Sequence, residues 1–182
     1  STYFNNQASV HFHEKVGFVK IKDFSHKYLN INNNVGLKNR ILKPFSFTDI
    51  FNFINKSDFL RSSEEYFIKN RVVYPFSKNL LLEFYEQDEI IEFRKDGIIK
   101  GCAVFCNDKE ENSLWICLLE AENEIIFDIL LTKIKQIAIE RGRRCLQIVL
   151  PETNDLFEKN GFRSREREND FWLYELDSKL IR

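Results

Sequence analysis

A helix stopped by glycine and continued as a strand constrains this chain most, and the chain carries it twice. Asn154-Asp155-Leu156-Phe157-Glu158-Lys159-Asn160-Gly161-Phe162 reads as a short helix ended by Gly161, with a strand starting at Phe162. Glycine just past a helix end takes the left-handed conformation that a side chain resists. The same signature stands near the N-terminus as His13-Glu14-Lys15-Val16-Gly17-Phe18. Copies this far apart lie outside the roughly 20–50-residue period of solenoid repeats. They predict two copies of one domain. The early copy has almost nothing before it, so residues 1–38 read as the tail of one domain and residues 39–182 as a second one. Met is absent, position 1 included, so the natural start is not written in this sequence.

The bulk numbers exclude some classes. A formal net charge of −1 provides no field toward nucleic acid or an anionic membrane. No apolar run approaches the roughly 18 residues that span a bilayer, and no secretory signal opens the chain. A cytoplasmic address is the expectation. Cys102, Cys106, Cys117 and Cys145 form no C-x-x-C pair, and three of them sit in apolar, strand-like runs. They read as buried, reduced thiols. His11 and His13 are spaced i, i+2 and do not share a helix face, so no metal is expected.

The pattern along the chain predicts its elements. Asn6 to Lys15 reads as a helix with Ala8, Phe12 and Val16 on one face. Phe18–Lys22 and Lys27–Ile31 read as a hairpin turning at Asp23 to His26. Asn32-Asn33-Asn34 with Gly36 reads as a linker. Arg40–Phe45 reads as a strand, and Ser46 or Thr48 caps a helix through Ile54. Asp58 to Asn70 reads as a second helix, and Asn79 to Gln87 fits either helix or strand. Ile90–Phe93 and Ile98–Phe105 flank Lys95-Asp96-Gly97, a strong hairpin signal. Ser113–Leu119 reads as a third strand. The longest helix is expected over about Glu122 to Arg141, closed by Gly142. Cys145–Leu150 is a short apolar strand of the kind buried mid-sheet. Strands near Phe162–Glu166 and Phe171–Leu176 follow the opening signature. The fold class is therefore α+β (mixed α/β), with a mostly antiparallel mixed central sheet and helices on both faces.

This order resembles the GNAT superfamily of N-acetyltransferases over residues 39–182. The matching segments are Arg40 through Ile50, Ile129-Leu130-Leu131 through Glu140-Arg141-Gly142, and Phe157-Glu158-Lys159-Asn160-Gly161-Phe162. The stretch Asn6 through Phe18 is similar to the family's Asn-x-x-Ala/Ser … Tyr-x-Lys-x-Gly-Phe segment. The resemblance implies acetyl transfer from acetyl-CoA to an amine. It also implies a loop of pattern Gln/Arg-x-x-Gly-x-Gly/Ala opening the central helix, where backbone N–H groups receive the pyrophosphate. Here Glu122 stands at the Arg position, and Ile125 and Phe127 stand at the glycine positions. Glu120, Glu122 and Glu124 place carboxylates where the diphosphate would lie. Each like-charge contact at roughly 4 Å costs about 1–4 kcal/mol.

The family's general-acid Tyr falls at Phe157, which has no hydroxyl, and at His13 in the N-terminal copy. Through the same resemblance, His13 and Glu120 are the candidate catalytic residues, and Asn6 and Ser9 the candidate cofactor contacts. The expectation is a GNAT-like domain with a degenerate acetyl-CoA loop, non-catalytic itself and supporting an active copy upstream. A non-enzymatic GNAT-fold binding module is the alternative. An active transferase with an atypical loop is a third reading. The expected partners are an amine substrate and either a homodimer mate or an intramolecular GNAT domain, without nucleic acid or membrane. Arg141, Arg143 and Arg144 read as cations favoured by a helix C-terminus.

Overall fold

The computed structural model describes residues 2–3, 7–16, 18–31, 46–63, 65–69, 72–108, 112–151, 155–164 and 171–176. In chain order the elements are β1 (Thr2–Tyr3), α1 (Gln7–Lys15), β2 (Phe18–Asn30), α2 (Phe47–Ile54), α3 (Asp58–Ser62), β3 (Tyr66–Lys69), β4 (Val72–Pro75) and α4 (Lys78–Glu86). They continue as β5 (Ile90–Lys95), β6 (Ile98–Asp108), β7 (Ser113–Ala121), α5 (Glu124–Glu140), β8 (Cys145–Pro151), α6 (Asp155–Lys159), β9 (Arg163–Ser164) and β10 (Phe171–Leu176). The chain forms two compact units, Leu29–Ile148 and a discontinuous unit of Ser1–Tyr28 with Val149–Arg182.

In the Leu29–Ile148 unit, the expected hairpin forms the first two strands of the sheet. Asp96 and Gly97 both take positive φ, 52° and 78°, the two-residue turn whose twist matches its flanking strands. β6 then pairs antiparallel with β7, from Asp108↔Ser113 to Gly101↔Ala121. β7 runs parallel to β8, from Ser113↔Cys145 to Ile116↔Ile148, and α5 is the crossover that a parallel pair needs. The sheet is therefore mixed and mostly antiparallel. The middle of β6, from Gly101 to Cys106, and most of β7 are buried and largely apolar. β7 is buried from Ser113 to Leu119, and Trp115 is fully enclosed.

α5 packs on the face that Gly101 presents. A Cβ at Gly101 would stand 2.7 Å from Ile126 Cγ2, 2.9 Å from Leu130 Cδ1 and 3.1 Å from the Glu120 carbonyl oxygen. The missing side chain lets the start of α5 approach the sheet. α3 lies on the opposite face, where the Phe59 N–H reaches Glu120, the residue next to Ala121 in register. Serine hydroxyls start three helices. Ser46, Ser57 and Ser77 accept from the N–H groups of Asp49, Leu60 and Leu80, each satisfying one donor that a helix start leaves open. An aromatic cluster of Phe47, Phe51, Phe67, Phe76, Phe84 and Tyr85 joins α2, α4 and the β3–β4 ribbon.

One expectation needs correction in this unit. The Asp58–Asn70 helix stops at Ser62. Ser62 and Ser63 turn their hydroxyls onto the carbonyls of Phe59 and Leu60, and Glu65 takes φ 62°, which ends the turn. Tyr66-Phe67-Ile68 then extends as β3, paired with β4, because Phe67 and Ile68 gain burial there. The ambiguous Asn79–Gln87 stretch is the helix α4.

In the other unit, the expected hairpin at residues 18–31 is one strand. β2 pairs with β10 from Phe18↔Leu176 to Phe24↔Phe171, and with β9 at Lys27↔Ser164 and Tyr28↔Arg163. The supposed turn at Asp23–His26 lies within the strand, and His26 is buried. Distant partners supply the hydrogen bonds that a local hairpin would have supplied. Gly161 has φ +88°, as the opening signature requires, and its N–H caps the end of α6. The Arg40–Phe45 strand and the Asn32–Gly36 linker lie outside the described residues.

Candidate functional site

The β7–α5 junction is where the sequence pattern places a cofactor loop. Glu122 donates its N–H to the Lys100 carbonyl at 2.8 Å, and its carboxylate meets Lys100 Nζ at 2.6 Å. Asn123 follows in extended conformation, φ −157° and ψ 170°. Its side-chain oxygen accepts the Ile126 N–H at 3.1 Å, and its carbonyl accepts the Phe127 N–H at 3.0 Å. The helix start is thus capped by its own chain. Of the two glycine positions, Ile125 is 73% exposed, while Phe127 is sunk in the core. Glu122 and Glu124 are both exposed beside the cap. A diphosphate here would displace the Asn123 cap and face these carboxylates. The residues present do not fit acetyl-CoA.

Glu120 stands at the end of β7, half-buried, and one oxygen accepts the Phe59 N–H at 2.9 Å. Burial raises its pKa above the ordinary carboxylate range, the Phe59 N–H pulls it back, and Asp58 adds to the rise. Beside it opens a cavity of about 280 Å³ with Lys56, Ser57, Asp58, Lys100 and Glu122 in its walls. Phe53 and Ile99 supply apolar surface. The sequence reading singled out Glu120 and missed Lys56 and Lys100.

The other candidates divide by position. Ser9 and His13 fall on α1 one turn apart, and their side chains lie outside the described atoms. Asn6 lies outside the described residues. Phe157 is fully buried, with its ring edge-on to Phe162 at 5.2 Å. It is a core residue with no proton to give. Among the described residues no cluster of three or more His, Cys, Asp or Glu is placed to hold a metal. None of their helices is long and apolar enough to cross a membrane. Cys106 and Cys117 lie buried with their sulfurs 3.9 Å apart, and burial pushes the Cys117 thiol up.

A second ionisable group lies buried at the start of β5. Glu89 is 6% exposed, and its nearest oxygen is 3.7 Å from Arg141 Nη1. Its Oε2 and that Arg141 nitrogen have no hydrogen-bond partner. Burial raises the Glu89 pKa, while Lys69 and Arg141 oppose the rise. A carboxyl that holds its proton more tightly when folded stabilises the fold as pH falls, and loses that contribution as pH rises through its folded pKa. Glu89→Gln removes this term. Urea midpoints measured from about pH 4.3, the unperturbed Glu value, to pH 7 are expected to rise for the variant relative to the parent. A variant that loses ground as pH rises would contradict the assignment.

The mixed sheet, the crossover helix and the Gly-ended α6 together define the fold of the GNAT N-acetyltransferases. Comparison with solved structures finds the same fold. A GCN5-related N-acetyltransferase from Sphaerobacter thermophilus matches with a TM-score of 0.64 at 12% identity, over 94% of this chain and 56% of that one. A putative GNAT-family acetyltransferase from Novosphingobium aromaticivorans matches with a TM-score of 0.56 at 14% identity, over 82% of this chain and 63% of that one. N-acetylglutamate synthase from Neisseria gonorrhoeae, solved with coenzyme A and N-acetyl-glutamate, matches with a TM-score of 0.53 at 15% identity, over 85% of this chain and 31% of that one. This chain therefore spans about half the length of the first and a smaller part of the third. At these identities the likeness is one of fold. No family model and no curated protein matches the sequence.

Proposed function

We propose that this chain is part of an N-acetyltransferase in which residues 39–182 form a non-catalytic GNAT domain supporting an active copy upstream. Residues 1–38 are then the tail of that copy. The observation carrying this reading is the Asn123 cap at the start of α5, flanked by Glu122 and Glu124. Phe157 at the general-acid position is in keeping with it. The solved neighbours, longer than this chain, leave room for a second copy. Calorimetric titration of residues 1–182 with acetyl-CoA is expected to show no binding tighter than about 1 mM, less than roughly 4 kcal/mol. Micromolar affinity would sink the reading.

A second reading, a non-enzymatic GNAT-fold binding module, is favoured by the cavity beside Glu120, which persists although the cofactor cradle does not. The two part on one measurement with the full-length protein. Transfer of a labelled acetyl group to an amine supports the first, and no transfer across an amine panel supports the second.

A further inference from the structure

The pairing of β6 with β7 breaks step once, beside two thiols. Their register runs evenly from Asp108↔Ser113 to Phe105↔Ile116, then shifts by one at Val104↔Leu118. Cys117 is the extra residue, with no register partner on β6. A bulge of this kind re-aims a side chain. Here the Cys117 sulfur lies 3.9 Å from that of Cys106, both buried and in S–H···S contact. The other two cysteines are placed differently. Cys102 stands opposite Glu120, and Cys145 turns its thiol to the Leu146 carbonyl at 3.3 Å. We propose that Cys106 and Cys117 form a site of oxidative modification, which a peroxide closes to an intrachain disulfide.

Bonded sulfurs lie about 2 Å apart, so this pair has roughly 2 Å to close. Side-chain rotation covers that distance with both strands kept in place. Burial and the Cys106 sulfur hold the Cys117 thiol protonated; Glu89 adds to this and Lys69 opposes it. The nucleophile is a thiolate, so Cys106 attacks first. Its sulfur bonds to one peroxide oxygen, the O–O bond breaks, and the departing oxygen takes up the thiol proton as water. The product is a sulfenic acid on Cys106. The Cys117 sulfur then bonds to the Cys106 sulfur, the S–O bond breaks, and hydroxide leaves with the Cys117 proton as a second water. Two thiols lose two electrons, and one peroxide gains them. Because both sulfurs are buried, the site admits a small peroxide and excludes a bulky oxidant such as glutathione disulfide. The assignment goes beyond both functional readings and depends on neither.

The test treats folded residues 1–182 with hydrogen peroxide, blocks remaining thiols under denaturing conditions, and maps tryptic peptides by mass. Cleavage after Lys100, Lys109 and Lys133 puts Cys106 and Cys117 on separate peptides, 101–109 and 110–133. The two are expected to appear linked, lighter by two hydrogen atoms than their sum, with fragment masses placing the bond on Cys106 and leaving Cys102 a blocked thiol. Dithiothreitol is expected to reverse the link. The oxidised protein is expected to melt about 5 °C higher, because the crosslink restrains the unfolded chain. Glutathione disulfide is expected to leave no adduct on either cysteine. Cys117→Ala is expected to stop at the Cys106 sulfenic acid, which a dimedone tag detects. The peptide map of the unsubstituted protein stands even where that variant fails to fold. Both cysteines surviving as thiols would overturn the assignment, as would a bond to Cys102 or Cys145. So would a link that forms only in urea, or sulfinic acid accumulating on either cysteine without a link.

Discussion

Gly101→Val is expected to destabilise the protein by about 3 kcal/mol, near the upper end for overpacking a filled core. The first added carbon already stands 2.7 Å from Ile126 Cγ2 and 2.9 Å from Leu130 Cδ1. Those are side-chain ends and can shift. The Glu120 carbonyl oxygen at 3.1 Å is backbone, held in β7 by its pairing with β6. The two further methyls of valine need space that α5 fills, so α5 must lift from the sheet. A drop in melting temperature of roughly 6–12 °C follows for a domain of this size. Gly97→Ala is the control. Gly97 has open space around it but φ +78°, so its cost is one of backbone conformation, about 1 kcal/mol. If Gly101→Val melts with the parent, α5 does not rest on the sheet as described. A double variant with Ile126→Ala should recover part of the loss, because the two sites share a contact.

Phe157→Ala is expected to cost about 3–5 kcal/mol, the range for truncating a fully buried aromatic. It also forfeits the edge-to-face contact with Phe162. Phe157→Tyr is the more telling substitution. It restores the hydroxyl that the resemblance associates with proton donation, yet places it where phenylalanine is fully enclosed. A buried hydroxyl without a partner costs about 1–3 kcal/mol. The variant is expected to be less stable, with no gain of acetyl transfer, in urea titration and a labelled-acetyl assay. Transfer activity gained by Phe157→Tyr would mean that the site lacked only its acid, and the reading of a degenerate cofactor loop would fall.

Local chemistry was legible in the sequence wherever one residue type decides a backbone conformation. Asp96-Gly97 specified its turn, Gly161 and Gly142 ended their helices at positive φ, and Ser46 capped α2. The element order that resembles the GNAT fold rested on these marks, and so did the absence of glycine from the start of α5. Glu120 was legible as a strand-end carboxylate. Its hydrogen bond to Phe59 was not, because that partner comes from a helix 61 positions away in sequence.

Tertiary structure decided the rest, for one physical reason. Backbone groups accept whichever partner completes their hydrogen bonds with the most apolar burial, and sequence spacing does not reveal distant partners. Residues 18–30 look like a hairpin in isolation, but β9 and β10 make them one strand. Residues 66–69 carry a helical apolar pattern, but burial of Phe67 beside Phe76 and Phe84 draws them into a ribbon. Lys56 and Lys100 carry no local signature, and only the folded chain sets them in one cavity with Glu120.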